Sequence, residues 1–185
     1  MIKEALKTGE EQMRGAVQSL EDDLARIRTG RANPALVERI SVDYYGMPTP
    51  LNQLASISVP EPRQLLIRPF DPGSLSNIER AILASDLGLT PSNDGHVVRL
   101  ILPMLTEERR RELVKVVGQR VEEARVAVRN VRRDVLRELR QHENDRLISE
   151  DDLKRGENDL QDLTDRYIDD INKIGERKEK EILGV

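Results

Sequence analysis

Three stretches of this chain place apolar residues at helical spacing, and the second and third each run for about 35 residues. Between Lys3 and Arg28 the stripe is Leu6, Met13, Val17, Leu20, Leu24 and Ile27. After Pro103 it is Leu113, Val117, Val121, Ala124, Val128, Val131, Val135 and Leu139. Thr106 is placed to cap that second helix, with Glu107 and Glu108 at the positive end of its dipole. The third helix opens at "SEDD", where Ser149 and Asp152 have capping-box spacing, and carries Leu153, Leu160, Leu163, Tyr167, Ile171, Ile174 and Ile182. At 1.5 Å per residue the second and third helices are each ~50 Å long. Such a rod cannot bury its own stripe. Three stripes of one period, with no fourth, predict an elongated three-helix bundle.

Arg31 to Met104 follows another pattern. "RISVDYY" alternates Ile40, Val42 and Tyr44 inward, and "GMPTP" reads as a turn. "LASISV" and "RQLLIRPF" are strand-like, separated by Pro60 and Pro62. "SNIERAILASDLG" predicts a helix ending at Gly88, "PSNDG" a turn and "HVVRLILP" a closing strand. Helical sequence of the same period flanks this block, so it is an insertion. The expected fold is an α+β two-domain protein: residues 1–29 and 106–185 form a discontinuous bundle, residues 31–104 a small β/α/β domain, with hinges near 30 and 105. Gly30 stops the first helix in this reading. Its backbone freedom also suits a pivot, and cap and pivot both stay open. Asn33-Pro34 has the form of an N-cap with proline at the first helical position, opening a short turn of helix.

At 37% hydrophobic and 35% charged, with four aromatic residues, the composition fits narrow Leu/Ile/Val stripes rather than a thick core. The absence of cysteine excludes disulfides, thiolate catalysis and Cys-based zinc sites. The opening "MIKEALKTGEEQMRG" lacks the features of a signal or transit peptide, and no apolar run approaches the roughly 20 residues of a membrane span. A soluble, cytosolic protein is expected. His96 and His142 have no second ligand at metal spacing, "SNDG" lacks the length and terminal Glu of a calcium loop, and no Gly-rich phosphate loop occurs. No enzyme, metal or cofactor is expected. Of Tyr44 and Tyr45, alternation sends one ring into the domain core and the other outward.

The net charge of −4 is unevenly spread. Residues 149–185 hold seven basic and twelve acidic side chains, net −5, whereas residues 101–140 hold eleven basic and seven acidic, net +4. "RVAVRNVRRD" (Arg125–Asp134) contributes four arginines and no lysine. At about 100° per residue, Arg132, Arg129, Arg140 and Arg133 lie at about −20°, 40°, 60° and 80° from Arg125, beside the buried stripe; Arg111 and Lys115 extend the row. Two readings stand. The ridge pairs with an acidic helix, its own third one or that of a protein partner, making the molecule a helical-bundle adaptor. Or it grips a polyanion, for which arginine's planar fork is suited, bidentate on phosphate where lysine is a point charge. With so few aromatics, base stacking is unsupported, and the polyanion reading means phosphate and shape recognition of folded RNA or duplex.

Several motifs resemble the ribosome recycling factor family: "IRTGRANPALV" (27–37), "DYYGMPTPLNQLASI" (43–57), "ASDLGLTPSNDG" (84–95), "LTEERRREL" (105–113), "ARVAVRNVRRD" (124–134) and "ISEDD" (148–152). They span nearly the whole chain in family order. The resemblance implies an L-shaped monomer, a three-helix bundle with an inserted domain on a hinge. It further implies a factor that enters the bacterial ribosome after termination. With elongation factor G, which handles the GTP, it splits the subunits and frees the messenger without making a covalent bond itself. By that resemblance Arg129, Arg132 and Arg133, with Arg110 and Arg125 as lesser candidates, lie on large-subunit ribosomal RNA. Gly30 and Arg31 match one hinge strand, and Leu105 and Thr106 the other.

Overall fold

In the computed structural model, residues 1–184 are described. The elements in chain order are α1 (Ile2–Ala25), a 3-10 turn (Pro34–Leu36), β1 (Ser41–Tyr44), β2 (Met47–Pro50), α2 (Leu51–Leu54), β3 (Ala55–Glu61) and β4 (Gln64–Pro69). A second 3-10 turn (Pro72–Ser74), α3 (Leu75–Ala84), β5 (Ser92–Asn93), β6 (Val98–Ile101), α4 (Glu107–Asn144) and α5 (Glu150–Leu183) follow. The chain divides into two compact units, one of Met1–Arg28 with the residues from Glu107 on, the other Thr29–Thr106.

In the first unit α1, α4 and α5 pack against one another. The striped residues Met13, Leu20, Leu113, Val117, Val128, Leu139, Leu160 and Ile171 are buried along the seams. Three glycines buried in the helices set how closely the rods approach. A Cβ on Gly9 would lie 2.7 Å from Val135 Cγ2, one on Gly175 2.7 Å from Val121 Cγ2, and one on Gly156 3.2 Å from Leu139 Cδ1. Thr164 is buried too, and its hydroxyl donates to the Leu160 carbonyl at 2.8 Å, which satisfies it without leaving the helix. Between α1 and α5, Glu10 Oε1 accepts from the Tyr167 hydroxyl at 2.9 Å and from Arg166 Nη2 at 2.7 Å. Ser149 accepts from Asp152 N and the Asp152 carboxylate faces Ser149 N, a complete capping box at the start of α5.

In the second unit an all-antiparallel sheet has the order β3-β4-β6-β5, and β1-β2 forms a separate hairpin. Val42, Leu51, Leu54, Leu65, Ile67, Ile78, Ile82, Val98 and Leu100 make its core, with α3 packed on β1. Asn33 caps the first 3-10 turn, its Oδ1 accepting from Ala35 N at 3.0 Å, with Pro34 opening that turn as the sequence indicates.

Three expectations are corrected. "GMPTP" is not a turn: Tyr45 and Gly46 alone, at φ 50° and 79°, form the hairpin loop, and Met47–Pro50 is strand. Pro48 and Pro50 are tolerated because β2 pairs on one side only. The helix predicted to end at Gly88 stops at Ala84, where the Ser85 hydroxyl takes the Ile82 carbonyl at 2.6 Å. Gly30 does not cap α1, which ends at Ala25 with Arg26 in the cap position.

Candidate polyanion-binding edge

The arginines of α4 divide by what holds them. Arg125 is the most enclosed, its side chain 31% exposed: Nε and Nη2 donate to Asn172 Oδ1 of α5 at 2.9 and 2.7 Å, and Nη1 to Glu122 at 3.0 Å. Arg132 Nε donates to Gln161 Oε1 of α5 at 3.0 Å. Arg129 reaches only Glu122, at 3.4 Å. Arg133 is exposed, and its side chain has no hydrogen bond or ion pair among the described residues. Arg140 contacts an acid of α5, Glu157, at 3.4 Å. Arg125, Arg129, Arg132 and Arg133 thus share one edge of α4. Arg110 lies about four turns nearer the start of α4 than Arg125; it too is partly buried, and its Nε is enclosed without a hydrogen-bond partner.

The charge balance follows from these partners. Glu122 is the one acid on this stretch of the ridge. The hydrogen bond from Arg125 and the nearby charge of Arg129 hold its carboxyl below the usual range, against the desolvation that opposes them. Asn172 and Gln161 accept hydrogen bonds without cancelling charge. One carboxylate is therefore shared between two guanidiniums, and Arg132 and Arg133 stay uncompensated. Neither amide stood out in the sequence, although they are two of only three amides in the strongly acidic α5.

The four expected hinge residues lie on the two crossings between units. Gly30 has φ +78°, and a Cβ there would sit 3.5 Å from both Leu105 Cγ and the Pro103 carbonyl, so the outgoing and returning strands touch at this point. Just inside, both are tied to one β-turn: Ala32 N donates to the Pro62 carbonyl at 2.7 Å, and Leu102 N to the Arg63 carbonyl at 2.8 Å. Arg31 is exposed, and Thr106 directly precedes α4. Tyr44 is partly buried against the unit's core while Tyr45 is 81% exposed; both hydroxyls donate to Asp71 Oδ2, at 3.4 and 3.3 Å. Among the described residues there is no His/Asp/Glu group able to hold a metal, and no helix is long and apolar enough to cross a membrane.

A bundle interrupted by an antiparallel insertion, with guanidiniums along one edge of its longest helix, defines a discontinuous helical-bundle protein with a cationic face. The ribosome recycling factor model matches residues 20–183, and the chain belongs to that family. Over all 185 residues it is 57% identical to the ribosome-recycling factors of Syntrophomonas wolfei and Halalkalibacterium halodurans, each covered in full. A solution structure of a ribosome recycling factor is similar at TM-score 0.73 and 48% identity, over 100% of this chain and 98% of that one. The T. thermophilus ribosome recycling factor, described with E. coli elongation factor G on the E. coli post-termination complex, is similar at TM-score 0.64 and 45% identity, with both chains fully covered.

Proposed function

We propose that this protein binds large-subunit ribosomal RNA through the arginine edge of α4 and, with elongation factor G and its GTP hydrolysis, splits the post-termination ribosome and frees the messenger. The observation that carries the RNA contact is the set of partners of Arg125, Arg129, Arg132 and Arg133: two neutral amides and a single carboxylate. Guanidiniums left this cationic suit phosphates, which they bind by charge-assisted, bidentate hydrogen bonds. The T. thermophilus relative described with elongation factor G on a post-termination complex supports the choice of ribosome and partner. GTP chemistry belongs to the partner. Gly30-Arg31 and Leu105-Thr106 act as the hinge strands, on which the inserted unit is displaced while the bundle stays anchored. The ordered Pro62-Arg63 clamp on Ala32 and Leu102 confines bending to those few residues.

Binding to purified ribosomes over a salt series tests the contact. Phosphate neutralisation predicts log affinity falling with log salt at roughly 0.7–0.9 per phosphate. A flat response favours the adaptor bound to an acidic protein. Arg132→Ala is expected to weaken ribosome binding by about 1.5–3 kcal/mol, with Arg132→Lys restoring part of it. Because Arg132→Ala also removes the hydrogen bond to Gln161, folding stability is expected to fall by about 0.5–1.5 kcal/mol at most. Subunit splitting of post-termination ribosomes, with and without elongation factor G and GTP, measures the consequence.

A further inference from the structure

We propose that Gln161 and Asn172 of α5 are positioning residues: they hold Arg132 and Arg125 in place with neutral acceptors, so that the edge is ordered without losing its positive charge. The proposal rests on the phosphate-binding reading of that edge. Three observations carry it.

First, α5 carries twelve acidic and seven basic side chains, yet the two it offers to Arg125 and Arg132 are amides. A carboxylate at either position would make an interhelical ion pair, as Glu157 does with Arg140 further along. The positions lie eleven residues apart, about three helical turns, and so on one face of α5. Second, an acid is close behind Gln161. Gln161 Nε2 donates to Asp165 Oδ1 at 2.8 Å while its Oε1 accepts from Arg132 Nε at 3.0 Å. The amide stands between acid and guanidinium, and its donation to Asp165 fixes which end faces Arg132. Third, the geometry leaves donors free. Asn172 Oδ1 takes Nε and Nη2 of Arg125, and Gln161 takes only Nε of Arg132, so both terminal nitrogens of Arg132 remain for a ligand.

A long arginine that is already held loses less side-chain freedom when it meets a phosphate. An acid in place of the amide gives the same order but removes the charge that does the binding. Amides do one without the other.

The test measures affinity of the full-length protein for purified bacterial large ribosomal subunits across a salt series, with circular dichroism to confirm folding. Gln161→Glu and Asn172→Asp are expected to weaken binding by roughly three- to tenfold at low salt, and to flatten the slope of log affinity against log salt by up to about one phosphate each. Gln12→Glu, the same charge change on an exposed position of α1, is expected to leave the slope unchanged. Gln161→Asn, neutral but one methylene too short to hold Arg132 by the same bond, is expected to keep the full slope and to recover only part of the affinity. If the acid variants bind as the parent does while Arg132→Ala weakens binding, the positioning role is overturned and the RNA-binding edge survives. If Arg132→Ala also binds as the parent does, the edge itself is misassigned. If Gln12→Glu flattens the slope as much as Gln161→Glu, net charge rather than position is responsible, and the proposal falls.

Discussion

The two units of this molecule solve the burial problem with different means. In the bundle, residues far apart in sequence meet along seams whose spacing is set by what is missing: Gly9, Gly156 and Gly175 let α1, α4 and α5 approach closely. In the inserted unit two of the pairings are between chain neighbours, β1 with β2 and β3 with β4, while β6 reaches back across α3 to join β4, with β5 at its edge. Its core of Leu65, Ile67, Ile78, Ile82, Val98 and Leu100 tolerates loops and prolines around it. The rods are therefore sensitive to added volume at a few points and suited to carry a fixed row of charges. The insertion is a local assembly tied to the bundle by two strands.

The largest effects come from cavities in either core. Ile171→Ala in α5 and Ile67→Ala in β4 each truncate a side chain with no exposed surface and are expected to cost about 2–5 kcal/mol. Hydrogen exchange separates the units: Ile171→Ala speeds exchange of α4 and α5 amides and spares β4 and β6, and Ile67→Ala does the reverse. If either variant accelerates both sets equally, the units unfold as one and the contrast fails.

A smaller effect sharpens the point about seams. Gly175→Ala gains about 1 kcal/mol of helix propensity but drives a methyl to 2.7 Å from the stiff Val121 side chain. Overpacking of this kind costs about 1–3 kcal/mol, so a net loss is expected in denaturant melts. Gly118→Ala, on the exposed side of α4 with open space around its Cβ, is expected to gain up to about 1 kcal/mol. Stabilisation by both would mean the seam is looser than the distances indicate.

The smallest contrast is in acid. Hydrogen bonds from Val97 N and His96 N lower the Asp94 carboxyl in the insertion, whereas the hydrogen bond from Arg125 lowers Glu122 on the bundle. Both folded values lie below the unfolded ones, near 4. Each group's stabilising contribution is therefore present above that pH and is lost as pH falls through the depressed folded value. Carboxyl NMR titrations are expected to show both midpoints low. Added salt should raise the Glu122 midpoint, which depends on guanidinium charge, and move Asp94 less, because backbone donors dominate there. Equal salt responses would remove the distinction.

Much of this was legible in the residues, for reasons that differ by position. The stripes of α4 and α5, the Ser149–Asp152 capping box and the Asn33-Pro34 turn are local patterns, and local energetics form them wherever they stand. Gly30, Gly88 and "GMPTP" misled because a left-handed glycine or a proline fits a helix end, a loop or an edge strand equally well. The arginine cluster was visible too, but its acceptors were not. Nothing in a one-dimensional row of acids and amides tells which of them face α4.

By itself, then, the chain determined its helical periods, the Ser149–Asp152 and Asn33 caps and the concentration of arginine in α4, since each depends on neighbours within a turn or two. Only the tertiary structure decided that glycines set the seams, that β6 pairs with β4, and that Arg125 and Arg132 lie against amides rather than carboxylates. Those outcomes depend on the register between α4 and α5 and between strands. Register is chosen by how side-chain volumes interlock across an interface, which no single segment contains.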